Sequence, residues 1–483
     1  MKTTHVYVIC LLFNSGPLAP AQDPSAPETT NLLPESVAKG YAKSVRTYFE
    51  CLDREEFTKA NKSLQEFTKD LQKAAKSMKV DSLLSRVTDW RKILLDGGIP
   101  EKPELKLANF ARGEFRMIDL GESPILINAT EKELQGVFDK KYKAIVSLPQ
   151  DYTKESYPVL LVLHEILEET NKPLKEMEKS KDMLERVDQW ARQEYGPEFL
   201  ASCIVLVPVM DCVIVGSSGL TASRPKWESV EGKTWCLKAL SAVVLTAANH
   251  DPSRIFIDGH GLGSIAAMQL CALYPSLQTG AIVRGPAPDK IRFENCAGLP
   301  ILFVGAQIKD FVDAWKHRPG FDKLRQMDSL DLVTLRQWLT DNSKNYCPDK
   351  IEIHTDNLAF GSAFWASITD IDVANDKIPL ANLIAEADRT SNTITVTTNA
   401  KVRGFTIYLN DRILDLSKEV KIINKHDGDT EGTVRFQGMR ERSLADMLDF
   451  GYRGVHGNTG EIFVTCVSIE IPRSVISKKP GGS

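Results

Sequence analysis

No two cysteines in this chain follow the C-x-x-C spacing favoured by structural zinc. The nine present are scattered along 483 residues, which argues against a metal site, and none is expected. Positive charge is not in excess either. The formal net charge is −4, and the aromatic residues, 8% of the chain, are not interleaved with basic runs, so nucleic acid is excluded as a partner. Beyond the N-terminal segment no apolar run reaches the ~20 residues that a membrane-spanning helix needs. What is present, 42% hydrophobic and 26% charged residues, is the mixture of an ordinary globular protein. At ~150 residues per domain the length allows about three domains.

The first residues have the layout of an export signal. Lys2 supplies a positive start, Val6 to Phe13 form a short apolar run, and Ala19-Pro20-Ala21 offers an A-x-A cleavage site. Residues 1–21 are therefore expected to be a signal peptide, and the mature chain to be secreted or periplasmic, with no integral membrane segment. A Pro/Ser/Thr-rich stretch, 22–30, should be a disordered linker. Removal of Cys10 leaves eight cysteines, which could pair in an exported protein. Cys203 and Cys271 lie in apolar segments and are expected to be buried thiols.

Residues 31–100 read as a helical bundle. Val37, Tyr41, Val45, Tyr48 and Leu52 recur at helical spacing, as do Leu64, Phe67, Leu71 and Met78, then Leu83, Val87, Trp90 and Leu94. From 101 to 375 strands and helices alternate, the signature of a mostly parallel sheet covered by helices. Expected strands are Tyr142 to Leu148, Val159 to Leu163, Ile204 to Pro208, Ile255 to Ile257, Ala281 to Val283, Ile301 to Val304 and Ile351 to His354, with an earlier pair between Phe115 and Ile127. Expected helices are Lys175 to Gln193, Thr234 to Thr246, Ser264 to Leu273 and Phe321 to Thr340. Residues 376–473 switch to short strands, with Ile394/Val396 and Phe405/Ile407/Leu409 at period two, and one helix near Ser443 to Phe450. The tail 474–483 is expected to be disordered.

The most informative stretch runs from Asp251 to Ser264: Asp-Pro-Ser-Arg-Ile-Phe-Ile-Asp-Gly-His-Gly-Leu-Gly-Ser. A buried-type strand enters a glycine-rich turn, and a helix of small residues follows. That is the layout of a nucleophile elbow, in which a serine at the centre of G-x-S-x-G is exposed on a strained strand-to-helix turn. Asp251, Pro252, Arg254, Ile255, Gly259, His260 and Gly263 match the D-P-x-R-I and G-H-S-x-G of secreted α/β-hydrolases of the esterase and prolyl-oligopeptidase type, which the chain resembles from about Lys143 to Trp365. The resemblance implies an α/β-hydrolase-like, mostly parallel sheet for the alternating region, so that the expected fold is this sheet with the N-terminal helical bundle before it and a small C-terminal β-rich domain after it. It also implies that the nucleophile position falls on Gly261 and the oxyanion-hole amide on Leu262. Gly259, His260, Gly261, Leu262 and Gly263 thus form a vestigial elbow, with no side chain at its centre to attack a substrate.

The partners of a hydrolase triad follow the nucleophile in the order acid, then histidine. Asp310, past the strand Ile301 to Val304, occupies a plausible acid position, with Asp313 a weaker one. His354, on the last expected core strand, is the candidate base, because Thr355 to Phe360 contains no histidine. Ser264 is a candidate displaced nucleophile, although a serine in a first helical turn more often caps or packs. Gly216-Ser217-Ser218-Gly219 misses G-x-S-x-G by one position and reads as a loop. On the oxyanion side, His164-Glu165-Ile166-Leu167-Glu168-Glu169 stands where many esterases have H-G-G, and carboxylates facing the site would oppose a developing oxyanion.

Three functional readings remain. The first is a catalytically inactive hydrolase homologue that keeps a scaffold or binding role, with a small molecule or protein in the vestigial cleft and no cofactor. The second is an active serine esterase or peptidase with a displaced nucleophile. The third is a dinucleotide-binding protein, since Gly261-Leu262-Gly263-Ser264-Ile265-Ala266 fits G-x-G-x-x-A and Arg284 could meet a phosphate-bearing ribose.

Overall fold

The structure, a computed structural model, describes residues 35–53, 56–74, 115–119, 143–149, 157–165, 168–170, 181–210, 212–217, 220–225, 227–246, 250–287, 291–374, 378–453, 461 and 463–472. The expected signal peptide, the linker, the third helical stretch at 83–94 and the tail lie outside them. The chain divides into two compact units, one containing residues 101–345, the other containing 22–100 together with 346–483.

The first unit contains β1 (Phe115–Asp119), β2 (Lys143–Ser147), β3 (Tyr157–Leu163), β4 (Glu168–Thr170), β5 (Ile204–Pro208), β6 (Cys212–Ser217), β7 (Leu220–Pro225), β8 (His250–His260), β9 (Gly280–Arg284), β10 (Ile301–Val304) and β11 (Leu324–Met327). Eight of these form one sheet in the order β1-β2-β5-β3-β8-β9-β10-β11. β2 pairs antiparallel with both neighbours, and every other pair is parallel. Parallel neighbours require crossovers, and helices Lys181–Glu194, Val230–Thr246, Leu262–Leu273 and Lys309–Trp315 supply them. This is the α/β-hydrolase-like, mostly parallel sheet that the sequence implies.

The central strands are buried on both faces, which is why they read as unbroken apolar runs rather than alternating ones. Every residue of β3 and of β5 is buried. Leu160, Val162, Val205, Val207 and Phe256 pack with Val187, Ala191, Tyr195 and Phe199 and with Leu335 and Leu339 of the helix Leu332–Asp341. Ala266, Ala267, Cys271 and Ala272 are all buried, and their small size lets the helix Leu262–Leu273 lie close to the sheet. A smaller antiparallel sheet, β4-β7-β6, is built from the segments that leave β3 and β5.

Two expectations are corrected in this unit. The stretch Phe321 to Thr340 is not one helix: β11 occupies Leu324–Met327, and a helix capped by the Asp331 side chain on the Thr334 amide begins at Leu332. β11, not Ile351 to His354, is therefore the last strand of the parallel sheet.

The second unit contains helices Glu35–Asp53 and Phe57–Ala74, whose expected apolar stripes meet through an edge-on contact of Tyr41 and Phe67, with Val45 and Tyr48 buried. It also contains β12 (Lys350–Thr355), β13 (Ser362–Ala363), β14 (Ala366–Ile371), β15 (Ala381–Asp388), β16 (Thr393–Thr398), β17 (Val402–Leu409), β18 (Val420–His426), β19 (Thr433–Gly438) and β20 (Thr465–Glu470). These form two sheets, β12-β15-β16-β18-β19 and β13-β14-β17-β20. The expected start of the β-rich region at 376 moves back to about 346, because β12 pairs antiparallel with β15, and β14 with β17.

Cys203 and Cys271 are buried thiols, and they are free, as are Cys51, Cys236, Cys296, Cys347 and Cys466. Burial pushes the Cys271 thiol up to about 12, which leaves it protonated and unreactive. Among the described residues no helix is long and apolar enough to cross a membrane.

Candidate functional site

β8 ends at His260, and the chain reverses into the helix Leu262–Leu273 through Gly261, at φ 50° and ψ −115°. A side chain is strained in that region of the map, and such strain is characteristic of functional turns. The turn is pinned by the Gly261 amide, which donates to the Arg284 carbonyl at 3.1 Å. This is the strand–turn–helix context that an elbow needs.

The neighbouring glycines are close-approach positions. A β-carbon at Gly263 would fall on the carbonyl oxygen of Leu163, and one at Gly259 would meet the Gly263 carbonyl and Ser264 Cα. Gly263→Ala should therefore push the helix off β3. The expected cost is about 1–3 kcal/mol from overpacking, read as a lower urea midpoint at unchanged slope; a midpoint equal to wild type would mean that β3 yields instead.

Ser264 is fully buried, and its hydroxyl is engaged by the Gly261 carbonyl at 2.6 Å and the Pro286 carbonyl at 2.8 Å. With both neighbours acceptors, the hydroxyl proton is held by backbone, and among the described residues no base is hydrogen-bonded to it. The structure makes Ser264 a bracing residue of the turn.

The place of a side chain at 261 is already taken. A β-carbon there would overlap the Glu165 carboxylate, and Glu165 Oε1 accepts the Leu262 amide at 3.2 Å. The carboxylate that the sequence left conditional does face the turn, whereas Glu168 and Glu169 belong to β4 of the smaller sheet. A carboxylate also sits favourably on a helix N-terminus. The same geometry removes the structural basis of the dinucleotide reading. An internal anion holds the amide that a pyrophosphate would need, and the fit to G-x-G-x-x-A comes from glycines packed against backbone.

Beneath the turn lies a charge network. Asp258, fully buried on β8, accepts a forked pair from Arg284 at the end of β9: Nε to Oδ1 at 2.9 Å and Nη2 to Oδ2 at 2.8 Å. Arg284 Nη1 reaches Glu194 Oε1 at 3.0 Å. The Tyr195 phenol donates to Asp258 Oδ2 at 2.8 Å and stands 3.0 Å from His260 Nε2. His260 Nε2 also stands 3.5 Å from Asp258 Oδ1, so the imidazole borders both the phenol and the carboxylate. Burial alone would raise the Asp258 carboxyl, but the Arg284 guanidinium, with His260, holds it well below the usual carboxylate range. Burial, and then Asp258, push the Tyr195 phenol upward. Arg284 is thus an internal counter-ion, and the ribose-phosphate role considered for it is ruled out by these partners. His260 is packed edge-on against Trp190, with ring centres 4.9 Å apart.

His164, which follows β3 and precedes Glu165, is fully buried between Trp227 and Trp190. Its Nε2 accepts the Met210 amide at 3.4 Å. Burial, and then the charge of His260, lower its pKa to about 3, so it is a neutral packing residue.

The remaining candidates make other contacts. Asp310 is exposed in the first turn of the helix Lys309–Trp315, and Asp313 pairs with Lys316 at 2.5 Å. His354 belongs to β12 in the second unit, where Nδ1 meets Asn382 Oδ1 at 3.1 Å and Nε2 stands 3.6 Å from Glu352. Gly216 and Ser217 end β6, and the next two residues lie outside the described set. The Tyr195–Asp258–Arg284 network is what sequence reasoning missed. Its trace in the sequence is a lone charge directly after each of two buried runs, Ile-Phe-Ile and Ala-Ile-Val.

No protein-family model matches this chain, and no curated protein does. Solved structures similar to it include a thermostable esterase, at 14% identity over 48% of this chain and 64% of that one, with TM-score 0.29. Another is a serine hydrolase without a lid from Xanthomonas campestris, at 15% identity over 50% of this chain and 95% of that one, with TM-score 0.28. A third is the S-formylglutathione hydrolase of Agrobacterium tumefaciens, at 12% identity over 48% and 94%, with TM-score 0.27. The chain thus spans 64% of the esterase's length.

Proposed function

We propose that this chain is a catalytically silent α/β-hydrolase-like protein, exported by its N-terminal segment and kept for binding rather than turnover. One observation carries the reading: the turn at Gly261 has the backbone of a nucleophile elbow and no side chain. A hydrolase of this class needs an activated hydroxyl at that point, and the nearest serine, Ser264, is locked to two carbonyls. The Leu262 amide, which would stabilise an oxyanion, is taken by Glu165. The ligand we assign to the scaffold is a small molecule or a protein segment that is held without being cleaved.

The test is covalent and kinetic. The purified mature chain should show no labelling by a fluorophosphonate probe and no hydrolysis of p-nitrophenyl acetate or butyrate above buffer. Stoichiometric labelling that disappears in Ser264→Ala would overturn the proposal and establish a displaced nucleophile.

A further inference from the structure

We infer that Glu165 is a built-in plug of this turn, an internal carboxylate that fills the place of the missing side chain and occupies the backbone donor an acyl group would use. The inference deepens the silent-scaffold reading and rests on it. Two observations made at different atoms carry it. Glu165 Oε1 accepts the Leu262 amide at 3.2 Å, and the rest of the carboxylate overlaps the volume of a β-carbon at position 261.

A helix N-terminus is usually capped by the residue just before it. Here that residue is Gly261, which provides no side-chain cap, and the cap comes from a residue 97 positions earlier in the chain. Its origin also matters. Glu165 follows β3 by two residues, and the Leu163 carbonyl at the end of β3 is the group that Gly263 is shaped to admit. Plug and turn are therefore fixed to the same pair of neighbouring strands, and the carboxylate is delivered to the turn by the sheet itself.

The consequence is that the site carries two blocks rather than one. A chain that had only exchanged its serine for glycine would leave the Leu262 amide open to an acyl oxygen. In this chain any ligand that uses that amide must first displace Glu165, so access is controlled by a side chain with a net negative charge, and an anionic ligand competes with it directly. Restoring a serine alone therefore leaves the site blocked, because the new side chain and the carboxylate claim one volume.

Thiol chemistry reads this without requiring a catalytic base. Gly261→Cys and Gly261→Cys/Glu165→Gly are alkylated in the full-length chain with iodoacetamide, and the rate at position 261 is followed by peptide mass spectrometry. The double variant should react at least fivefold faster, since it removes both the obstruction and the carboxylate that disfavours the thiolate. A ratio below five overturns the plug. If the cysteine variants do not fold, Glu165→Ala in the otherwise native chain gives a second readout by amide hydrogen exchange at Leu262. Exchange at least tenfold faster than wild type supports the plug, and unchanged exchange refutes it. Neither measurement depends on turnover, so the plug can fail while the silent reading stands. Conversely, probe labelling of the wild type would sink that reading without altering either rate.

Discussion

Arg284→Met is expected to cost the first unit about 3–5 kcal/mol, because it strips the counter-ion from a carboxylate that has no access to water. Asp258 is fully buried, and the forked pair at 2.9 and 2.8 Å supplies its positive partner. Without the guanidinium the carboxylate keeps the Tyr195 hydrogen bond and the proximity of His260, which do not replace a full opposing charge in that position. For a unit of this size each kcal/mol lowers the melting temperature by roughly 2–4 °C, so a fall of about 10 °C is the anticipated signal. The attribution is checked by Asp258→Asn/Arg284→Met. That pair removes both charges and leaves a side chain that still accepts from Tyr195, so it should recover at least half of the loss in urea unfolding. A single-variant loss below about 1 kcal/mol would place the pair among weak surface bridges and would undo the account of what holds the turn in place.

The arrangement of this network explains why it was not legible in the sequence while the sheet was. Val159 to Leu163 and Ile204 to Pro208 are continuous apolar runs, and their burial at every position is what such runs encode. The turn at Gly261 was legible too, since its glycines are demanded by positive φ and by close backbone approach. Ile351 to His354 belongs to a sheet of the second unit, and its pattern differs from that of those strands. Ile351 and Ile353 are buried while Glu352 and His354 are only partly so, an alternation that belongs to a strand with one apolar and one polar face. Leu324 to Met327 reads as helix from sequence because four residues at the margin of a sheet, with only Leu324 buried, carry too little periodicity to separate the two states. The site was harder to read. The Tyr195, Asp258 and Arg284 contacts and the Glu165–Leu262 contact join residues from 26 to 97 positions apart, and the paired strands β3, β8 and β9 with the end of the helix Lys181–Glu194 bring them together. A local motif reports the turn and stays silent on what is packed against it.

Acid is the second lever on this unit, and His164 sets its direction. The ring is fully buried, and its pKa is lowered from the ordinary 6.5 to about 3, by burial first and by His260 second. Below pH 6.5 the unfolded chain binds a proton at this residue that the folded chain refuses until about pH 3. The contribution is therefore fully present above pH 6.5 and is lost progressively as the pH falls toward 3. At 1.36 kcal/mol per pH unit, going down to about pH 4.5 should remove roughly 2–3 kcal/mol. Asp258 acts in the same direction but lower down, since its carboxyl is held below the carboxylate range and its share is lost only in stronger acid. The two are separable by choosing the window. Urea unfolding at about pH 6.5 and about pH 4.5, in wild type and in His164→Gln, should show an acid loss in wild type that shrinks by most of that amount in the variant. Gln preserves an acceptor for the Met210 amide, so a general loss of packing would lower both pH points together. A selective change in slope requires the titration. If both chains lose the same stability between the two pH values, His164 is already protonated in the folded protein, and its burial between Trp190 and Trp227 is looser than the geometry indicates.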